Sequence, residues 1–283
     1  MCELLGMSAN VPTDLRFSFA GLMRRAGTTA RHSDGWGVAF HDGRDCQIFR
    51  EKRAGAQSAL AAALCDHPIR SPIAVAHIRR ANRGAVSTAN THPFQRELWG
   101  RWWVFAHNGQ LAGIKRWPLG QDRPVGTTDS EHAFCWLIGE LRRSFGRAPG
   151  EAALSRAIAR LCRRLDTLGT FNALLSDGRR LYAYCSSKLA VLTRRAPFGR
   201  ACLIDADLRV DFAAETTPED VVRIIATRPL TADEAWQPIE RRSLAVYRDG
   251  ELVFHDRAPR ARRVSAAADP SHAAAAAAFA RAG

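Results

Sequence analysis

Apolar segments of this chain arrive in blocks rather than in alternation, and that order limits the folds open to it. CELLGMS (residues 2–8) reads as a short strand, and DLRFSFAGLMRRAG (Asp14–Gly27) carries Leu15, Phe19, Leu22 and Met23 at helical spacing. Two apolar stretches then flank HDGRD, whose Asp42-Gly43 pair predicts a hairpin turn. AQSALAAALCDHP is a short helix stopped by Pro68, while SPIAVAHIRR and RWWVFAHNGQ are buried strands that each end in a histidine and polar residues. Two helices follow. TTDSEHAFCWLIGELRRSF opens with Thr128 and Glu131 at capping-box spacing, and EAALSRAIARLCRRL lines one face with Leu154, Ile158, Leu161, Cys162 and Leu165. After Gly169 the pattern returns to strands (TFNALLS, RLYAYC, LAVLT, ACLID, VVRIIATRP, SLAVYRDG, ELVFH), with a second hairpin signal at Asp249-Gly250. A doubly wound sheet would alternate strand and helix. Blocks of each predict an α+β layered fold with mainly antiparallel sheets.

With 46% hydrophobic residues, 283 residues supply one large core or two smaller ones. No linker or internal repeat interrupts residues 2–255, which read as one domain. Residues 256–283, containing RAPRARRVSAAADPSHAAAAAAFARAG, form a low-complexity Ala/Arg tail expected to be disordered or marginally helical. No apolar run is long enough for a bilayer, and MCELLGMSANVPTD lacks the basic start of a cleavable signal. The seven cysteines are scattered without a CxxC pair, which argues against a zinc ribbon or a disulfide framework and for a reducing cytoplasm. His32, Asp34 and Asp42 lack metal-site spacing, and no GxGxxG pattern suggests a nicotinamide or flavin. A net charge of +13 favours anionic partners. The arginines are dispersed, however, and no zinc-finger spacing, aromatic RNA-binding signature or basic helix accompanies them, so nucleic acid is not the expected partner.

Cys2, directly behind the start methionine, is the residue with most chemical promise. Removal of Met1 would leave it with a free α-amine, which titrates near pH 8. That amine can take the thiol proton and return it to a leaving group, so one residue supplies nucleophile and base. Other segments offer it a substrate pocket. Arg79 in HIRRAN, at the end of a buried strand, can clamp a carboxylate. In AHNGQL, Asn108-Gly109 is either a tight turn or a pair of oxyanion donors, the Asn108 amide and the Gly109 N–H. Asp129 opens a helix, where the dipole favours its ionised form; it is either a helix-start residue beside Thr128 or the partner of a substrate ammonium. His77 and His107 both end strands and read as satisfied structural histidines. Trp99, Trp102 and Trp103 read as core packing around an apolar strand. A cation, an anion, a thiol and two oxyanion donors describe a pocket for glutamine, its γ-carboxamide laid against the thiol.

In these segments the sequence resembles the class II glutamine amidotransferases, which are N-terminal-nucleophile hydrolases. MC, DGWG (Asp34–Gly37), HIR with THPF (His77–Arg79, Thr91–Phe94), HNG (His107–Gly109) and TDSE (Thr128–Glu131) occur in family order, and the resemblance extends from Cys2 to about residue 250. It is closest to the stand-alone type, without a fused synthetase domain. The resemblance implies a four-layer αββα sandwich and no metal or organic cofactor. It implies Cys2 as nucleophile, Asn108 and Gly109 as oxyanion hole, Arg79 for the substrate carboxylate, Asp129 for the α-ammonium and His92 in a supporting role. Where many relatives have an aromatic residue and then a threonine or serine after the motif arginine, this chain has Arg80 and Asn82. Asn82 can still hydrogen-bond a carboxylate, but the substrate shell is altered. Expected activity is therefore hydrolysis of glutamine or of another γ-glutamyl amide, as in a related branch of a thiol-metabolite pathway; either a separate ammonia-acceptor enzyme docks here, or the protein is simply an amidohydrolase. The competing expectation is a non-catalytic basic interaction module that keeps the fold.

Overall fold

A computed structural model describes residues 2–81, 84–212 and 217–257. The chain runs β1 (Glu3–Asp14), α1 (Arg16–Arg25), β2 (Trp36–Asp42), β3 (Asp45–Glu51), α2 (Ala59–Asp66), β4 (Arg70–Ile78), β5 (Phe94–Glu97) and β6 (Trp102–Gly109). It continues with α3 (Asp129–Ser144), α4 (Glu151–Asp166), β7 (Phe171–Ser176), β8 (Leu181–Cys185), β9 (Ala190–Arg195), β10 (Arg200–Cys202) and β11 (Arg209–Asp211). It closes with β12 (Val221–Ala226), β13 (Gln237–Pro238), β14 (Ser243–Arg248) and β15 (Glu251–Arg257). One sheet has the order β13-β9-β12-β1-β4-β2-β3 and the other β15-β14-β8-β7-β6-β5; a two-stranded β10-β11 ribbon stands apart. Every pairing in both large sheets is antiparallel.

The side-chain period of two decides the layers. On β1, Leu4 faces the second sheet and packs with Ile73, Val75, Val104, Ala106, Leu174 and Leu181. Leu5 and Met7 point the other way, into a core with Phe19 and Leu22 of α1 and Ala61 of α2. The outer face of the second sheet buries Phe105, Phe171 and Tyr184 against Phe134 and Leu141 of α3 and Leu154, Ile158 and Leu165 of α4. The result is the αββα sandwich, helices outside and two sheets stacked face to face. The α4 stripe expected from its sequence is the buried one.

Differences from the sequence reading are local. β1 runs to Asp14, past the expected strand, with an irregularity against β4 between Ser8 and Thr13; α1 therefore starts at Arg16, and Asp14 Oδ1 accepts from Arg16 N at 2.8 Å. Trp103 is buried, but Trp102 is 37% exposed, because neighbouring strand residues face opposite ways. Asp249 and Gly250 both have positive φ (53° and 74°), the conformation a two-residue hairpin between β14 and β15 needs. β15 reaches Arg257, two residues into the expected tail, and residues 258–283 lie outside the described residues.

Candidate active site

Cys2 sits at the mouth of β1, a central strand of the seven-stranded sheet. A chain end normally frays unless tied down, and this one is tied from both sides. Leu4 N–H donates to Thr227 Oγ1 at 2.9 Å, and Thr227 N–H donates to Leu4 O at 3.1 Å. The Glu3 carboxylate is buried; Oε2 accepts from Arg25 Nη1 at 2.8 Å and Oε1 from Arg228 Nη2. Arg25 goes on to Asp205 and to the carbonyls of Arg228 and Pro229. The strand that delivers Cys2 is thereby fixed to α1 and to the segment after β12.

The half-buried Cys2 thiol lies against one peptide. Sγ donates to Arg80 O at 3.5 Å and accepts from Arg80 N–H at 3.3 Å. Burial pushes the thiol pKa up, while the Arg80 amide and the Arg79 guanidinium pull it down less strongly. Asp34 braces this turn: its Oδ2 accepts from Ala81 N–H at 2.8 Å.

A cavity of about 820 Å³ opens in front of the thiol, lined among others by Cys2, Arg79, His92, Asn108, Gly109 and Asp129. Six of the seven residues singled out from the sequence thus meet there, and Asn82 lies outside the described residues. Arg79 is only 4% exposed, yet its guanidinium makes no ion pair among the described residues and donates to Ala85 O at 3.1 Å. Asp129 likewise has no cationic partner among them. Its Oδ2 accepts from Leu111 N–H at 2.8 Å and Oδ1 from Ser130 N–H at 2.9 Å, so it both starts α3 and faces the cavity. Thr128 caps that helix by accepting from Glu131 N–H at 3.1 Å. Glu131 does not complete the capping box; it accepts instead from Val125 N–H, Gly126 N–H and Arg96.

Asn108 and Gly109 end β6 as a continuing strand, paired with Asn172 and Phe171 of β7, rather than as a tight turn. One N–H of the Asn108 amide donates to Cys2 O at 2.6 Å, which ties the two residues together and leaves the second N–H of that nitrogen. Only glycine fits at 109, since a Cβ there would stand 1.8 Å from Thr170 O.

Comparison with known proteins settles the family. The family profile described as "Glutamine amidotransferases class-II" matches residues 1–271. This chain belongs to the class II glutamine amidotransferases. The Escherichia coli K12 protein named "Putative glutamine amidotransferase YafJ" is 54% identical over 254 residues, covering 89% of this chain and all of that one. A crystal structure titled as a predicted glutamine amidotransferase from Pseudomonas aeruginosa superposes with a TM-score of 0.72 at 48% identity, over 89% of this chain and all of that one. The glutamine phosphoribosylpyrophosphate amidotransferase of B. subtilis superposes with a TM-score of 0.60 over 90% of this chain and 49% of its own; at 13% identity this likeness shows the fold alone.

Three buried histidines line or neighbour the cavity, and they differ. His107 is satisfied: the Thr170 carbonyl at 3.1 Å can only accept, so Nε2 carries the proton and Nδ1, 2.9 Å from Ser130 Oγ, accepts from the hydroxyl. His77, expected to be satisfied too, is not. Its ring lies 4.3 Å from that of His92, and none of the four nitrogens of the two rings makes a hydrogen bond of normal geometry among the described residues. Burial lowers the His77 pKa to about 3, helped by His107 and Arg79, and holds His92 well below its ordinary value. The β4 pattern marked His77 as buried without revealing that its neighbour would be another ring. Sequence reading also missed Glu3, Asn90 and Asn172. Asn172 holds the Asn108 carbonyl through Nδ2 at 3.3 Å and gathers the Ser186, Ser187 and Lys188 N–H groups on Oδ1. Its only signal was a polar residue inside an apolar strand. Among the described residues no helix is long and apolar enough to cross a membrane.

Proposed function

We propose that this amidotransferase hydrolyses the γ-carboxamide of glutamine, or a γ-glutamyl amide, through a thioester on Cys2. One observation carries the reading: a guanidinium and a carboxylate that have no ion-pair partner among the described residues line the same cavity as the thiol. An amino-acid head group supplies both missing partners, its carboxylate to Arg79 and its ammonium to Asp129. The amide end of such a substrate then faces Cys2. With Met1 removed, the Cys2 α-amine takes the thiol proton and the sulfur attacks the amide carbon. Asn108 and the Gly109 N–H receive the oxyanion, an interaction worth roughly 3 kcal/mol per donor. The tetrahedral species collapses, the C–N bond breaks, and the ammonium of Cys2 protonates the departing ammonia. Water then adds to the thioester and releases glutamate and free thiol. His92 and Asn82 are assigned to the substrate shell.

The reaction needs a reduced thiol, which suits the cytoplasm, and its ammonia goes either to a separate acceptor enzyme or to solvent. The cavity volume favours a second reading of the same chemistry. About 820 Å³ lies toward the upper end of the roughly 300–1,000 Å³ usual for drug-sized ligands, leaving room for an amine larger than ammonia on the γ-carbonyl.

Protein lacking Met1, confirmed by intact mass, is incubated with glutamine, a panel of γ-glutamyl amides and a γ-glutamyl-type diazo-ketone. Glutamate release and one covalent adduct confined to Cys2, both lost in Cys2→Ala, are expected. Full labelling of Cys2→Ala refutes the assignment. No turnover of any amide, with stable duplex-DNA binding at high salt, points to the interaction module.

A further inference from the structure

We infer that Asn90 is the positioning residue that sets the spacing between the two charged grips of the site and thereby selects an α-amino-acid head group. This rests on the proposed roles of Arg79 and Asp129. Asn90 is 2% exposed, precedes the Thr91–Phe94 motif and uses its whole amide. Nδ2 donates to Ala85 O at 3.0 Å, the same carbonyl that receives Arg79 Nη1 at 3.1 Å. Nδ2 also donates to Thr127 Oγ1 at 3.2 Å, and Oδ1 accepts from Thr127 N–H at 2.7 Å. Thr127 lies two residues before Asp129, directly ahead of the Thr128 helix cap. One rigid side-chain amide therefore spans the carbonyl that orients the cation and the backbone that delivers the anion.

The approach of the two segments is tight enough to dictate sequence. A Cβ at Gly126 would stand 2.4 Å from Asn90 Oδ1 and 2.4 Å from Ala89 O. Glu131 fixes the other side of the same stretch through Val125 N–H and Gly126 N–H at 3.0 and 2.7 Å. Segment 125–127 thus has little freedom of its own, and its distance from Arg79 is set through Asn90. Asn90 touches neither Cys2 nor the Asn108 amide in any hydrogen bond, so its influence falls on recognition rather than on the reacting carbonyl.

Asn90→Ala and Asn90→Asp are compared with the parent protein, all lacking Met1, on L-glutamine and two truncated amides. 5-Amino-5-oxopentanoate lacks the α-ammonium, and 4-aminobutanamide lacks the carboxylate. In Asn90→Ala the KM for glutamine should rise about tenfold or more, with kcat within about threefold. The preference for glutamine over both truncated amides should shrink by a similar factor. Asn90→Asp keeps the acceptor for Thr127 N–H and loses the donor to Ala85, so its preference over 4-aminobutanamide should shrink more than that over 5-amino-5-oxopentanoate. Unchanged KM and preferences, or a fall in kcat alone, overturn the inference while leaving the functional reading intact. A parent protein that turns over no glutamine and takes no diazo-ketone label defeats that reading and this inference with it. Loss of cooperative unfolding in both variants assigns Asn90 to the fold alone and overturns the inference.

Discussion

Mild acid should unfold this protein, and the loss can be worked from three side chains. His41, His77 and His92 are buried with no hydrogen bond of normal geometry on any ring nitrogen among the described residues. Burial lowers His41 to about 4 and His77 to about 3, and holds His92 well below the ordinary 6.5. The unfolded chain therefore binds more protons than the fold between about pH 6.5 and pH 3–4. Stability is complete above that window and falls as pH falls through it. Going from pH 7 to pH 5, a histidine that titrates near 6.5 only when unfolded removes about 2 kcal/mol, and three remove roughly 6. A domain holds only about 5–15 kcal/mol in all, so much of its margin disappears. Urea unfolding followed by tryptophan fluorescence at pH 7, 6 and 5 measures this. Near pH 5 the stability should change by nearly three protons' worth, about 4 kcal/mol per pH unit. His41→Gln, remote from the cavity lining, should reduce that slope by close to one proton. Equal urea midpoints at pH 7 and pH 5, or a parent slope below one proton, would refute the premise that these rings are buried neutral.

Other substitutions separate scaffold from chemistry. Glu3→Gln leaves Arg25 and Arg228 without their buried carboxylate and should cost about 3–5 kcal/mol in urea unfolding; a loss below 1 kcal/mol would show that β1 is held by pairing alone. Arg79→Met removes a buried cation that has no acidic partner among the described residues, so melting temperature should hold or rise while KM for glutamine climbs at least tenfold. A sharp drop in melting temperature would mark Arg79 as structural. Asn108→Ala should lower kcat about a hundredfold or more, and an unchanged rate would exclude it from the oxyanion site. Gly109→Ala drives a methyl into Thr170 O and should destabilise by about 1–3 kcal/mol or more, read by thermal unfolding.

What the sequence revealed and what it hid follow from how far each signal travels along the chain. Local signals were legible. The apolar stripe of α4, the Thr128 cap and the Asp249-Gly250 turn each involve residues a few positions apart, and each took the expected form. The block order of strands and helices limited the layers, and the motif resemblance supplied the sandwich. Sheet order was not legible, because β1 pairs with β4 and β12, whose registers depend on residues far away in sequence. Cys2, Arg79, Asn108, Gly109 and Asp129, which line one cavity, could be singled out as candidates because each has distinctive chemistry at a strand end or helix start. Glu3, Asn90 and Asn172 were missed because their importance lies in partners on other segments, up to 225 positions away, as in Arg25 and Arg228 for Glu3, Thr127 for Asn90 and Asn108 for Asn172. His77 shows the same limit from the other side: its burial could be read from its strand, but not the ring beside it.

The central place of β1 has a consequence for synthesis. Its flanking strands are made about 70 and about 220 residues later, and domains emerge from the ribosome at only about 5–20 residues per second. β1 can pair with β4 early, but its other edge stays open until β12, near the end of the domain, has been translated. A chain ended before β12 carries Cys2 on a strand with one edge unpaired and without the Thr227 contact that holds Leu4. In this architecture the strand that carries Cys2 gains its second neighbour only when the rest of the domain has been made.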